Sequence, residues 1–217
     1  SPCWVERERI VSVSFVTDPL LHERPGIHHR RWFLLGVLCL SLVMVVMSVS
    51  GLNVALPSLQ RDLDADATDL QWIVDSYALV FAGLLLTAGA IGDRFGRKQA
   101  LLGGLTVFAL GSLIGAFADS PHAVIVARSI SGIGAAFVMP ATLSILTAVF
   151  PPHERGKAIA IWAGFAGAGG ALGPLVVGLL WFDWLFGARG LDLRSAVIGP
   201  FVVSVLALSS VAAYQLL

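Results

Sequence analysis

Ten consecutive residues, 89–98, hold three glycines (Gly89, Gly92, Gly96), one acid (Asp93) and three bases (Arg94, Arg97, Lys98), all wedged between two long apolar runs. Ionised groups are expensive in hydrocarbon, and irregular backbone there leaves peptide groups without hydrogen-bond partners. A charge knot in this setting therefore belongs to a tight turn at a membrane surface. The chain on either side of it has to run back and forth through a bilayer.

Composition agrees. Of 217 residues, 57% are hydrophobic and 13% charged, whereas a soluble domain carries about 25% charged residues. The formal net charge of zero gives no hint of a nucleic-acid partner. Cys3 and Cys39 are far apart, and Cys39 lies in an apolar run, so neither a disulfide framework nor a metal site is expected.

Six apolar stretches follow one another at 32–56, 70–91, 100–118, 122–150, 158–182 and 195–217. Each approaches or exceeds the roughly 20 residues that a helix needs to cross hydrocarbon. The first carries no charge and is expected to end at Pro57; the second is interrupted by Asp75, and the fourth contains Arg128 and Pro140. The short alternating segments of a membrane β-barrel are absent. The expected fold is all-α and integral to the membrane, with six transmembrane helices after a cytoplasmic arm over residues 1–31.

Sidedness follows from the bases. Arg30 and Arg31 precede the first span, Arg94, Arg97 and Lys98 follow the second, and Arg155 and Lys157 follow the fourth. The intervening loops are acidic or poor in bases: Asp62, Asp64, Asp66 and Asp69 against Arg61 in one, and Asp119 in the other. Bases collect on the cytoplasmic side, so both ends of a multi-pass cell-membrane protein are expected there.

Within the charged turn, Gly92 and Gly96 allow a sharp reversal. Asp93 and Arg97 are spaced to pair across one helical turn. An acid at the C-terminal end of a helix is unfavourable toward that helix's dipole and calls for the positive N-terminus of another helix. Bases alone would suffice to anchor a loop to anionic lipid; the acid and the glycine spacing favour a latch. Arg128, within an apolar span, faces a cavity or partner or snorkels to the surface; the nearby Gly132 and Gly134 favour the interior. Asp75 stands between a coupling carboxylate and an ordinary rim charge, with Arg128 as a candidate partner.

These residues resemble a known family. Residues 89–98 are similar to the signature G-x-[LI]-[AG]-D-[RK]-x-G-R-[RK] of major facilitator superfamily transporters. Asn53 to Pro57, with Trp72, Asp75 and Tyr77, resemble the fourteen-helix drug:proton antiporter branch. Arg128 with Gly132 and Gly134 is similar to that branch's fourth-helix motif, and Gly169, Gly173, Pro174 and Gly178 to its fifth-helix antiporter motif. The resemblance covers about residues 32–181. It implies one six-helix half, built from two inverted three-helix repeats, of an exporter that moves small amphipathic compounds by alternating access.

The same resemblance assigns roles. Residues 89–98 would latch the two halves, Asp75 and Arg128 would couple protons or substrate, and the glycines with Pro174 would seal helix contacts. It implies no enzyme activity, no cofactor beyond a proton gradient, and three partners: the substrate, the bilayer, and a C-terminal half or second copy. Departures are Ser48 where the branch often has an acid, Ser131 for a glutamine, and Ala160 and Val177 for glycines. The alternative is a truncated or degenerate membrane protein that does not transport, or a half that works only as a dimer or with a second half.

Overall fold

The computed structural model describes residues 27–186. They form five α-helices: α1 Ile27–Asp62, α2 Ala67–Phe95, α3 Arg97–Ala116, α4 Pro121–Val149 and α5 Pro152–Phe186. No strand occurs among the described residues. All five helices are long and apolar enough to cross a membrane, over Arg31–Pro57, Ala67–Phe95, Arg97–Ala116, Pro121–Val149 and Pro152–Leu175. The expected sixth span, 195–217, and residues 1–26 of the expected arm lie outside the described residues. The chain divides into two units, Ser1–Leu34 and Leu35–Leu217. The first contributes the opening turns of α1; the packing described below is that of the second.

The helices overrun the apolar stretches at most ends, because polar residues at a membrane surface extend a helix as readily as they end it. Pro57 does not stop α1, which continues to Asp62. A proline inside a helix removes one main-chain hydrogen bond and bends the axis without obliging the helix to end. Arg61 steadies the last turn by donating Nε–H to the Pro57 carbonyl at 3.1 Å. The chain then reverses through Asp64, at φ +51°.

Two of the acidic residues that follow act as a helix cap. The Asp69 amide donates to Asp66 Oδ1 at 2.7 Å, and the Asp66 amide donates to Asp69 Oδ2 at 3.3 Å. This reciprocal box satisfies donors that open the helix and sets acids at the positive end of the α2 dipole. Ser120 caps α4 by a single bond, its hydroxyl accepting from the Ala123 amide at 3.4 Å ahead of Pro121. After α4, the Arg155 Nε–H donates to the Phe150 carbonyl at 2.9 Å.

Packing centres on α4. Gly132 and Gly134, two residues apart at about 100° per residue, point to opposite sides of it. A methyl group on Gly132 would lie 2.8 Å from the Tyr77 carbonyl oxygen of α2, and one on Gly134 would lie 2.5 Å from the Phe108 amide nitrogen of α3. Gly104 and Gly111 of α3 meet the same seam from the other side, against Gly134 and Ser131. Small residues let main chains approach where lipid offers no hydrophobic drive for association. The buried cluster below this crossing includes Leu38, Cys39, Met44, Leu105, Phe108, Val138, Leu146 and Phe150. A smaller one, of Ala55, Leu59, Ile73, Ala118 and Val124, closes the other end.

Candidate functional site

The polar centre of the molecule is built on three helices. Arg128 sits one turn before Gly132, on the face of α4 that meets α2. With no side chain at Gly132, α2 comes close enough for the guanidinium to lie over the Tyr77 ring, its carbon 4.4 Å from the ring centroid. Tyr77 is in turn stacked on Phe81, one turn along α2, at 6.1 Å between centroids and 6° between planes. From α1, Ser48 accepts a hydrogen bond from Arg128 Nη1 at 3.0 Å. Arg128 and Tyr77 are both buried, at 9% and 4% exposure. The guanidinium points into the helix bundle.

Two polar atoms of this cluster lack a hydrogen-bond partner among the described residues: Arg128 Nε and the Tyr77 hydroxyl. Asp75 is half-buried on α2 and forms no ion pair with Arg128. Position explains this. Asp75 is two residues from Tyr77, about 200° around the helix, and so faces away from the ring on which Arg128 lies.

The charged segment 89–98 is far less of a loop than its composition suggests. Gly89, Gly92, Asp93 and Arg94 belong to the last turns of α2, Arg97 and Lys98 open α3, and Gly96 alone lies between the helices. Gly96 makes the reversal with φ +107° and ψ 125°, a region reached routinely only without a Cβ. Gly92 serves packing instead. A methyl there would sit 3.2 Å from the Ala100 Cβ, so its absence allows α3 to fold back closely. At Gly89 a methyl would make an ordinary 3.7 Å contact with Pro140.

Arg97 ties the turn together. Its Nε lies 3.3 Å from Asp93 Oδ1, and its Nη1 donates to the Ser144 carbonyl of α4 at 3.1 Å. The Asp93–Arg97 pair is exposed, at 65% and 45%, so it contributes little on its own. The Arg94 guanidinium lies 5.5 Å over the Phe95 ring. Lys98 is exposed.

The fifth-helix glycines face α1. A methyl on Gly169 would lie 3.3 Å from the Val43 Cα, and one on Gly173 would overlap the Ser50 hydroxyl. Pro174 continues the helix with its ring exposed. Gly178 lies further along α5. Gly164 and Gly167 have open space where a side chain would stand.

The structure brings Arg128 together with Ser48 and Tyr77 and keeps Asp75 apart from it. The sequence marks Ser48 only as a departure and Tyr77 only as part of a motif; their meeting at Arg128 is visible in three dimensions alone. A signal exists for Tyr77, in its spacing of four from Phe81. None exists for Ser48, which is 80 residues from Arg128. The α3 side of the seam, Gly104 and Gly111, also escapes a reading by motif, although its seven-residue spacing marks one helix face.

The described residues thus form a helical membrane bundle crossed by glycine seams around a buried arginine, with a one-residue glycine reversal at its charged edge. The family model for the Major Facilitator Superfamily matches residues 38–214, and the chain belongs to that superfamily. Puromycin resistance protein pur8 of Streptomyces alboniger is 40% identical over 71% of this chain and 31% of its own length. The multidrug efflux pump LfrA of Mycolicibacterium smegmatis is 42% identical over 80% of this chain and 36% of its own. The chain thus spans about a third of the length of these relatives.

Solved structures agree on the fold. The peptide transporter POT, in complex with sulfate, superposes with a TM-score of 0.72 at 19% identity, over 84% of this chain and 37% of its own. A bacterial homologue of the human lysosomal transporter Spinster, inward-facing and unoccupied, gives 0.68 at 20% identity, over 86% and 42%. The chain is a multi-pass membrane protein of a transporter superfamily and not an enzyme, and its sequence relatives are drug and antibiotic resistance proteins.

Proposed function

We propose that this chain acts as the first six-helix half of a proton-coupled exporter of small amphipathic compounds, alternating access to a site between two halves. The observation that carries this reading is the buried Arg128–Ser48–Tyr77 cluster, a polar centre where α1, α2 and α4 meet in an otherwise apolar bundle. Polar groups at membrane depth are expensive and mark transport pathways. The naming of relatives as resistance and efflux proteins supports the direction and the substrate class.

The second half is either a further set of helices or another copy of this chain. The described spans favour a partner beside α2 and α5, which are 22% and 17% buried, against 50% for α1 and α3. Residues 89–98 form the cytoplasmic latch. Arg97 holds the turn against α4 through Ser144 and leaves Asp93 at the exposed edge, where it can meet a helix N-terminus of the second half. Both ends of the chain are cytoplasmic in this reading, in the cell membrane. A proton gradient supplies the energy, with Asp75, half-buried on α2 two residues before Tyr77, as the coupling carboxylate.

The test is efflux of a fluorescent amphipathic dye in everted vesicles from cells expressing the gene's full product. Dye uptake is expected to depend on an imposed proton gradient and to stop when a protonophore collapses it. Asp93→Asn is expected to slow transport severalfold, and Asp75→Asn to flatten its pH dependence. Uptake indifferent to the gradient would remove proton coupling; no uptake at all would favour a membrane protein that does not transport.

A further inference from the structure

We propose that α4 pivots at Pro140, and that Arg97 fastens its C-terminal end to the charged turn, so that residues 141–149 and the turn swing as one body. The inference leans on the export reading only for what the swinging end meets; the motion itself is measured without transport.

The reasoning starts from the main chain. Pro140 lies inside α4 and has no N–H, so the Ala136 carbonyl loses the donor that a regular turn supplies. Ala136 is fully buried, out of reach of water. Two threonines beyond the proline bond back onto the helix. Thr142 Oγ1 donates to the Met139 carbonyl at 2.8 Å, and Thr147 Oγ1 to the Ser144 carbonyl at 3.0 Å. Such bonds compete with the helical ladder and bend it. A proline with back-bonding side chains beside it is where a long helix changes direction.

Packing divides α4 at the same place. Before Pro140 the helix is fixed by close contact along a glycine seam. A methyl on Gly132 would lie 2.8 Å from the Tyr77 carbonyl oxygen, and one on Gly134 would lie 2.5 Å from the Phe108 amide nitrogen. A methyl on Gly104 of α3 would lie 2.8 Å from the Phe137 Cβ and 3.1 Å from Val138 Cγ2. Beyond Val138 the seam ends among the described residues. The glycine that faces α4 there is Gly89 of α2, where an added methyl would stand an ordinary 3.7 Å from the Pro140 Cβ. A methyl-sized gap therefore lies beside the proline ring.

The segment beyond the pivot is held from the turn instead. Arg97 Nη1 donates to the Ser144 carbonyl at 3.1 Å, while its Nε lies 3.3 Å from Asp93 Oδ1. One guanidinium thus joins the end of α2, the start of α3 and α4 past Pro140. A hinge is a point that absorbs rotation between two stiff parts. Here the glycine seam holds one part, and Arg97 makes the turn travel with the other. Residues 141–149 form a lever of about 13 Å, and a change in bend of about 20° moves its tip by roughly 5 Å.

The experiment is double electron–electron resonance on the full gene product, freed of native cysteines, in lipid nanodiscs. Ala148→Cys, exposed at the end of α4, carries one spin label. The second stands at Leu40→Cys of α1 or Leu79→Cys of α2, exposed sites on segments the pivot does not carry, or at Gln99→Cys, exposed near Arg97. At least one of the first two pairs is expected to show two populations roughly 5 Å apart, while the 148–99 pair shows one. Pro140→Ala restores the missing donor, and Gly89→Leu fills the gap beside the ring. Each is expected to reduce the two populations to one. Arg97→Ala is expected to widen the 148–99 distribution at least twofold.

A single narrow distance from Ala148→Cys to both reference sites would overturn the pivot. So would two populations that persist in Pro140→Ala, a variant that decides the matter even where Gly89→Leu fails to fold. An unchanged 148–99 width in Arg97→Ala, which alters an exposed side chain, would overturn the tether and with it the single moving body. Dye efflux accompanied by one narrow distance removes the pivot and leaves the export reading intact. Two populations without any efflux would do the reverse.

Discussion

Replacing Gly134 by alanine tests whether the α3–α4 crossing is set by main-chain contact. The added methyl would lie 2.5 Å from the Phe108 amide nitrogen, 2.6 Å from the Gly104 carbonyl oxygen and 2.8 Å from the Phe108 Cα. Ordinary contact begins near 3.4 Å. All three atoms are backbone, so no rotamer change relieves the overlap and the helices have to separate by roughly 0.9 Å. A gap of that size forfeits about a quarter to a half of the dispersion energy of the atoms lining it, and overpacking typically costs about 1–3 kcal/mol.

Alanine also improves helix propensity over glycine by about 1 kcal/mol, which would mask part of the loss. Gly103→Ala is the control, because nothing lies within 4 Å of the methyl it would add. That variant is expected to be neutral or slightly stabilised. Gly134→Ala is expected to fall below it by about 1–3 kcal/mol, measured by far-UV circular dichroism as sodium dodecyl sulfate is titrated into mixed micelles. Stabilities of the two within about 0.5 kcal/mol, the ordinary scatter of surface changes, would refute main-chain contact as the determinant of this crossing.

Gly96→Ala forces a Cβ into a backbone region that strains it, and is expected to cost about 1–3 kcal/mol in the same unfolding assay; an unchanged midpoint would mean that the turn reorganises freely. Arg97→Lys cannot reach Asp93 and Ser144 together, because it lacks the planar fork. Its stability is expected to change by less than about 1 kcal/mol while dye efflux slows, and unaltered efflux would remove Arg97 from the latch. Ser48→Asp gives the buried guanidinium a counter-charge and is expected to raise stability by about 1 kcal/mol or more at neutral pH. A loss of stability would mean that Arg128 is already compensated.

The turn at 89–98 is legible in the sequence as a turn because ionised groups and hydrocarbon are incompatible wherever the neighbours stand. Its division of labour is not. Gly92 and Gly96 look alike in one dimension, yet Gly96 supplies a positive φ and Gly92 supplies room for Ala100. Pro57, expected to end α1, instead lies inside it, since a single lost hydrogen bond is a weak stop when apolar and polar turns on both sides still favour helix. Arg128 is identifiable as a buried charge, but its candidate pairing with Asp75 is not formed, because positions 75 and 77 lie about 200° apart around α2.

By itself the sequence determined the class of protein, the helical spans among the described residues and the family. Partition between water and lipid acts on each segment locally, and a hydropathy pattern records that directly. The tertiary structure alone decided what surrounds Arg128. Which helices meet, and at which faces, depends on the fit of glycine-lined surfaces within the bilayer. That fit brings Ser48 to Arg128 across 80 residues, leaves Asp75 outside, and gives the buried charge neutral partners.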